Sequence, residues 1–206
     1  MKKLPIILAC TLLLFSIAGC NKQNLESLGK CPVEMQTVTN KDSAIDTTYT
    51  LSIPRDWQSS SPYRHAVEAI PPGYTDLSEL NDDISLTIGV RNYSDDISHS
   101  SKDIQQYKDL FENKTEKYQE NITKELQDVG VKALNFQFKV YKGTHGRIAE
   151  VKYTYNYEGK DWNYIYCFRE DIPYYAVGGF DDSKKFSSGE VIPWVADSLQ
   201  VSGTAY

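Results

Sequence analysis

Histidine and cysteine are the side chains that most often carry acid–base, nucleophilic and metal chemistry at neutral pH, and the chain contains three histidines and four cysteines. His65, His99 and His145 stand in separate local contexts, at none of the spacings that metal sites use. The carboxylates of residues 76–83 match no EF-hand, which favours solvated loop charge over a calcium site. The G-x-S-x-G, S-x-x-K, H-E-x-x-H and P-loop patterns are absent from the sequence. The sequence therefore predicts no catalytic residue, no metal and no cofactor, and it predicts that His145 is a polar residue of the turn "GTHGR".

The four cysteines differ in their surroundings. Cys10 lies inside an apolar run, Cys20 ends that run, and Cys31 and Cys167 belong to the body of the chain. In an exported protein the oxidising compartment favours a disulfide between Cys31 and Cys167, which would tie the N-terminal segment to the rest of the domain. The alternative is two free buried thiols that pack as small hydrophobes. Cys167 lies among aromatic residues in the middle of a strand candidate, which favours a structural role over a nucleophilic one.

The first twenty residues have the pattern of an export signal. A basic start, Met1-Lys2-Lys3, precedes an apolar run from Leu4 to Ala18, which is shorter than the roughly 20 residues of a membrane-spanning helix. The run ends in Ile17-Ala18-Gly19-Cys20, which resembles the lipobox of bacterial lipoproteins. The resemblance implies cleavage between Gly19 and Cys20 and transfer of a diacylglycerol to the thiol of Cys20. The alternatives are an ordinary signal peptide followed by a chance cysteine, and an uncleaved anchor helix.

A lipid on Cys20 would hold the protein on the cell membrane, facing the periplasm or the exterior. In a two-membrane host, Asp after the lipidated cysteine would resemble an inner-membrane retention signal. Asn21 stands there and favours the outer membrane. Loss of the two signal lysines changes the formal charge from −6 to −6 − 2 = −8. An acidic chain is a poor partner for nucleic acid and is not drawn to anionic lipid, so the lipid chains themselves must supply the anchor.

The mature chain divides into a short tether and one domain. Residues 20–30 are polar and without apolar period, which predicts a lipidated tether, and residues 31–206 are predicted to form a single globular domain. Alternation of apolar and polar residues predicts strands at 48–53, 65–70, 84–93, 133–141, 147–157, 162–168 and 174–180. Turn-like links between the last strands predict antiparallel neighbours. Their single apolar face predicts a sheet covered mainly on one side.

Helical periodicity predicts one long helix in the middle of the chain and a short one near its end. Ser100 and Asp103 have the spacing of a capping box, and Gly130 marks the end of the long helix. The second helix spans about residues 191–199. The expected fold is therefore α+β, an antiparallel sheet of about six strands with the long helix and the C-terminal helix packed on it.

Aromatic residues are concentrated on one face of two neighbouring strand candidates. Tyr153, Tyr155 and Tyr157 share a face of the first, and Trp162 and Tyr164 share a face of the next, together with Tyr166 and Phe168. One interpretation is a core face beneath a helix. The other is that the tyrosine-rich end emerges as a groove for a protein or a glycan, since tyrosine offers a large contact area and a polar handle. The candidate binding surface comprises Tyr153, Tyr155, Tyr157, Trp162 and Tyr164.

The order of these elements resembles that of PsbP-like domains. The stretches that carry the resemblance are "YTLSIPRDW", "DISLTIGVRNY", "FKVYKGTHGRIAEVKYTYNYEGKDWNYIYCF" and "VIPWVADSLQV". They extend from about Thr47 to Val201, and the group includes bacterial DcrB-type lipoproteins, which pair such a domain with a lipobox. The resemblance implies an α/β/α sandwich and an accessory role in binding or assembling other proteins, with no shared catalytic site. The Cys31 and Cys167 pair is not a hallmark of this group.

These observations predict a lipid-anchored envelope protein that is not an enzyme and that binds a protein partner of unknown identity. A narrower version is an immunity lipoprotein that neutralises a secreted toxin in the periplasm. Two other classes stay open, namely an envelope hydrolase whose site is assembled from distant residues and a carrier that holds a small ligand between sheet and helix.

Overall fold

A computed structural model describes residues 25–42, 46–60, 66–72, 88–92, 101–157, 159–172, 175–181 and 191–203. The expectations for the signal segment, the lipid site at Cys20 and the start of the tether lie outside these residues. So do His65, His99, Ser100 and the acidic residues 76–83.

The described residues form eleven strands and three helices. The strands are β1 (Glu26–Ser27), β2 (Met35–Asp42), β3 (Thr47–Pro54), β4 (Gln58–Ser60), β5 (Ala66–Ile70), β6 (Ile88–Asn92), β7 (Lys132–Lys142), β8 (Arg147–Tyr157), β9 (Lys160–Arg169), β10 (Tyr175–Asp181) and β11 (Gln200–Gly203). The helices are α1 (Ser101–Phe111), α2 (Glu116–Asp128) and α3 (Ile192–Ser198). A mixed α+β class is thus confirmed, and none of these helices is long and apolar enough to cross a membrane.

Eight of the described strands form one sheet in the order β1-β7-β8-β9-β10-β6-β5-β4. Consecutive strands β7 to β10 are antiparallel neighbours, as their short links predict. The one parallel pair within this sheet joins β1 to the end of β7, with Glu26 opposite Tyr141. The sheet is wider than the predicted six strands because β1 and β4 are only two and three residues long, too short to show a period.

A separate three-stranded sheet has the order β11-β3-β2. In β3 the alternate residues Tyr49, Leu51 and Ile53 are buried, as the pattern "TYTLSI" predicts. Strands β2 and β11 were not predicted, since these edge strands are mostly polar and alternate weakly. The structured chain also starts before Cys31, because β1 pairs with β7 and Leu28 is buried in the core.

The predicted long helix is in fact two helices. Asn113 lies between α1 and α2 with φ of 59°, in the left-handed region that interrupts a helix. The guanidinium of Arg147 donates to the carbonyl oxygen of Phe111 at 2.9 Å, which satisfies a helix-end acceptor of α1. α2 ends where predicted, since Gly130 has φ of 78° and the N–H of Val131 donates to the carbonyl of Leu126.

Both faces of the large sheet are covered. The helix face, which carries Ala149, Val151 and Tyr153 of β8, packs against α1 and α2. The opposite α3 face, which carries Ile148 and Glu150, packs against α3 and the three-stranded sheet. The prediction of a sheet covered mainly on one side is therefore wrong, and the second covering layer combines a helix with a small sheet.

Candidate binding surface

A row of aromatic rings crosses the helix face from β7 to β9. We call it the aromatic stripe, and it consists of Phe136, Phe138, Tyr153, Tyr155, Trp162, Tyr164 and Tyr166. Register explains the row, because Tyr153 lies opposite Tyr164 and Tyr155 lies opposite Trp162 in the antiparallel β8–β9 pair. Side chains of directly opposed residues lie on the same face of a sheet. The aromatic residues at alternate positions of β8 and β9 therefore form one continuous surface.

The rings of the stripe contact one another in sequence. Phe136 stacks on Tyr153 with ring centroids 5.2 Å apart, and Tyr153 stacks on Tyr164 at 5.5 Å. Tyr164 in turn contacts Tyr155 at 5.2 Å and Tyr166 at 5.8 Å. These separations fall in the range of favourable aromatic pairs. The stripe is therefore a packed unit in which each ring limits the freedom of the next.

The five residues predicted as a binding surface divide into a covered and an open part. Tyr153 and Trp162 are buried, with 6% and 8% of their surface exposed. Tyr155 and Tyr164 are partly exposed, and the side chain of Tyr157 lies outside the described residues. The core interpretation is thus confirmed for Tyr153 and Trp162, whereas the binding groove stays a prediction that rests on the partly exposed Tyr155 and Tyr164.

The helices determine where the stripe is covered. Tyr118 of α2 makes edge contacts with Phe138 and Phe168, and Tyr107 of α1 stacks on Phe168 with ring centroids 4.7 Å apart. These contacts lie towards the β7–β8 turn, where α1 and α2 sit on the sheet. The sequence identified the shared face, but it could not locate the boundary of the helix cover, which depends on tertiary packing.

Gly178 of β10 gives the ring of Tyr166 room to lie over the neighbouring strand. Gly178 pairs with Tyr166 in register, and a Cβ atom built on it would lie 2.4 Å from Cδ1 of that ring. Ordinary carbon–carbon contact is about 3.5–4.0 Å. A glycine in mid-strand, otherwise unfavourable, is therefore required here by close approach. A glycine in the middle of a strand is the signal that could have placed Tyr166 within the candidate surface.

His145 lies in the β7–β8 turn, as predicted, and its surroundings are structural. Asp197 of α3 accepts hydrogen bonds through Oδ1 from the backbone N–H groups of Thr144 at 2.8 Å and His145 at 3.4 Å. The ring Nδ1 of His145 lies 2.9 Å from the backbone carbonyl of Asp197, which can only accept. Gly143 must be glycine, since a Cβ there would lie 2.4 Å from the Asp197 carboxylate. These contacts fasten the turn to α3.

Two arginines, which the sequence analysis did not single out, complete this end of the molecule. Arg169 is buried, donates to the carbonyls of Ala196, Asp197 and Leu199 at the end of α3, and pairs with both carboxylate oxygens of Asp171. The hydrogen bond and charge of Arg169 lower the pKa of Asp171.

Arg147 forms the second of these pairs and donates to both oxygens of Glu170, at 2.6 and 2.8 Å. The hydrogen bond from Arg147 lowers the pKa of Glu170. Because Arg147 also holds the end of α1, it links a helix of one layer to the sheet. We infer structural roles for both arginines.

Cys167 and Glu150 lie opposite each other on the α3 face, between β9 and β8. Burial, followed by the Glu150 carboxylate, raises the pKa of the Cys167 thiol well above its ordinary value. A thiol that stays protonated at neutral pH is a poor nucleophile. Glu150 lies on the polar face of β8, where a sheet covered on one side predicts solvent, yet it is only 5% exposed. Its carboxylate accepts a hydrogen bond from the hydroxyl of Tyr141 at 3.3 Å and pairs with Lys152 at 3.1 Å. Burial and the Glu150 charge raise the pKa of Tyr141 to about 12.

The predicted disulfide between Cys31 and Cys167 is absent, because both residues are free thiols. Cys167 is enclosed within the core, whereas Cys31 lies partly exposed between β1 and β2. The prediction rests on the redox compartment, which permits a bond but does not bring two residues to bonding distance.

The described part of the chain holds no group of three or more histidine, cysteine, aspartate or glutamate residues suited to a metal. A cavity of about 90 Å³ lies between the α1–α2 link and the β7 edge, lined in part by Leu25, Leu110, Phe138 and Val140. Sites for small ligands usually enclose about 300–1,000 Å³. This cavity is therefore too small for the carrier function that the sequence left open.

Comparison with known proteins gives a distant structural likeness. No family model matches the sequence, and no curated protein matches it. One solved structure that matches is the solution structure of cyanobacterial PsbP (CyanoP) from Synechocystis sp. PCC 6803. The identity is 11%, the TM-score is 0.43, and the match covers 85% of this chain and 99% of that chain. Membership of the PsbP-like domains stays a prediction from the sequence motifs.

Proposed function

We propose that the protein is a lipid-anchored, non-enzymatic module of the cell envelope that binds a protein partner through the open part of its aromatic stripe. The lipid on Cys20 keeps the module at the membrane, and the sheet presents Tyr155 and Tyr164 to the partner. The lipobox-like sequence supports the anchor, and the PsbP-like motif order supports an accessory role.

The observation that carries the proposal is the division of the stripe. Tyr155 and Tyr164 are partly exposed, yet their rings pack on each other, and Tyr164 also stacks on buried Tyr153. Rings held in this way lose little side-chain entropy on binding, and tyrosine combines a large apolar area with a hydroxyl group. Such anchors, fixed before binding, are typical of the residues that dominate protein interfaces.

The test is site-specific photo-crosslinking in cells that carry the lipidated protein. A photoactivatable residue replaces Tyr155 or Tyr164 on the helix face. Matched controls carry it at Thr154 or Asn163, which are neighbours on the same strands but point to the α3 face. We expect one dominant adduct from the two stripe positions and none from the controls.

Equal crosslinking at all four positions, or none at the stripe, would contradict the assignment of the surface. The anchor is tested independently with Cys20→Ser, which should leave an unprocessed precursor without acyl label. Normal processing of that variant would contradict the lipid anchor while leaving the stripe to be judged by crosslinking alone.

A further inference from the structure

The start of the described chain is fixed to the edge of the large sheet. The side chain of Glu26 pairs with Lys139 at 2.8 Å, and Leu25 lines the small cavity beside Phe138 and Val140. Since β1 is parallel to β7, the chain enters β1 from the side on which β7 begins. Four residues lie between Cys20 and Leu25, and the five steps from one Cα to the next limit their separation to about 17 Å for a fully extended chain. A bilayer that holds a lipid on Cys20 must therefore lie near this edge.

Two of the three exposed large apolar side chains of the described residues lie where α2 leads into β7. Val129 is 70% exposed and Leu134 is 40% exposed, and the third such residue, Val33, is 44% exposed and lies in a different segment. Between the first two, Val131 and Ala133 are buried. We call residues 129–134 the α2–β7 corner. Its buried residues anchor the backbone, so that the two aliphatic side chains are held outward.

Leu134 lies about six strand residues, or roughly 20 Å, from the point where Leu25 meets the edge. This is slightly more than the roughly 17 Å that the chain between Leu25 and Cys20 can span. A bilayer at Cys20 therefore reaches Leu134 when it lies on the side on which β7 begins. Lys132 within the corner and Asp128 beside it are both exposed and have opposite charges. The corner is therefore apolar with little net charge, and its contact with lipid would not depend on anionic headgroups.

We propose that the α2–β7 corner is a membrane contact, in which Val129 and Leu134 enter the interfacial region of the bilayer to which Cys20 is anchored. The inference rests on the lipid anchor of the proposed function. Two aliphatic side chains are too few for stable attachment alone. A short tether, however, raises their effective concentration at the bilayer, so that a weak contact becomes populated.

The test measures the depth of a probe in lipidated full-length protein reconstituted into phosphatidylethanolamine and phosphatidylglycerol vesicles. In a Cys31→Ser background, an environment-sensitive fluorophore is attached to Leu134→Cys or Val129→Cys. The matched control is Val33→Cys, which has nearly the same exposure as Leu134. Lipids with a quencher on the acyl chain should reduce emission at 134 and 129 by about twofold, as expected for insertion of 5–10 Å, and should leave emission at 33 unchanged.

Equal quenching at 129, 134 and 33 would overturn the proposal, as would full access of iodide from water to the probes at 129 and 134. The mass of the reconstituted protein shows whether Cys20 is acylated, and so distinguishes failure of the lipid anchor from failure of the membrane contact. Protein without the acyl mass overturns the anchor and the contact together, whereas acylated protein with unquenched probes overturns the contact alone. Protection in native membranes but not in vesicles would identify a protein that covers the corner, and would also overturn the proposal.

Discussion

Replacing Gly178 with alanine should disturb the open part of the aromatic stripe through the ring of Tyr166. The added Cβ would lie 2.4 Å from Cδ1 and 2.7 Å from Cε1 of that ring, and 2.9 Å from the carbonyl oxygen of Ile165. Carbon atoms in ordinary contact are about 3.5 Å apart or more. The ring must therefore move by roughly 1 Å, and its contact with Tyr164, now 5.8 Å between centroids, must change with it.

The cost has two sources, and both follow from these distances. Overpacking of a close-packed site destabilises a protein by about 1–3 kcal/mol, and loss of an aromatic pair costs about 0.5–1.5 kcal/mol more. In a Tyr166→Ala background the ring is gone, and of the three nearest contacts only that with the backbone carbonyl oxygen of Ile165, at 2.9 Å, remains. The alanine at 178 should still destabilise that background, because this oxygen must shift, but by about 1 kcal/mol less than in the wild type, which is the coupling between the two positions.

The assay is urea-induced unfolding of the wild-type protein, both single variants and the double variant. The reasoning is refuted if Gly178→Ala lowers the free energy of unfolding equally in both backgrounds, because the ring would then not be the group that requires glycine. Crosslinking at position 164 provides a second readout, and we expect the alanine at 178 to weaken it in protein that is still folded.

Three further predictions concern burial and charge. Tyr153→Ala should destabilise the domain by about 3–5 kcal/mol, as for other buried aromatic residues. Tyr155→Ala should destabilise it clearly less, because that ring is partly exposed, and the midpoints of urea unfolding compare the two variants. The hydrogen bond from Arg169 lowers the pKa of Asp171 in the folded state below its ordinary value of 3.8. The pair therefore stabilises the fold fully at a pH above 3.8, and this stabilisation is lost as the pH falls through the lower pKa of the folded state. Asp171→Asn should therefore flatten the stability profile below about pH 4, measured by unfolding at each pH. The thiol of Cys167 should react with maleimide only in denaturant, and rapid labelling of native protein would contradict its burial.

The sequence predicts the features that depend on local pattern. β8 and β9 alternate over their whole length and are joined by a short turn, so their antiparallel pairing and the aromatic face of each strand follow from neighbouring residues. The break between α1 and α2 was not predictable in this way. It depends on a left-handed Asn113 and on Arg147, which reaches the end of α1 from 36 positions away along the chain.

The division of the candidate site into covered and open rings is a tertiary effect of the same kind. Tyr153 and Tyr155 have the same residue type, face and strand, and they differ only in their position relative to the helices. Glu150 shows the reverse case, because alternation marks it as solvated although α3 and the small sheet cover that part of the face. Periodicity assigns a residue to a face, but it does not say what lies above that face.

The two ends of the large sheet differ in their hydrogen bonds and in the apolar surface that they expose. At the β7–β8 turn, Arg147, Arg169 and Asp197 join α1, α3, the turn and the sheet by hydrogen bonds that include buried donors. At the β8–β9 end, the described chain instead presents partly exposed rings and the outward Leu134 of the corner. Apolar surface left in water is a cost that stable domains keep small unless a partner covers it. The hydrogen bonds at the β7–β8 turn stabilise the fold and so compensate for the exposed apolar surface at the β8–β9 end. We therefore expect the partner and the membrane to contact the protein at the β8–β9 end.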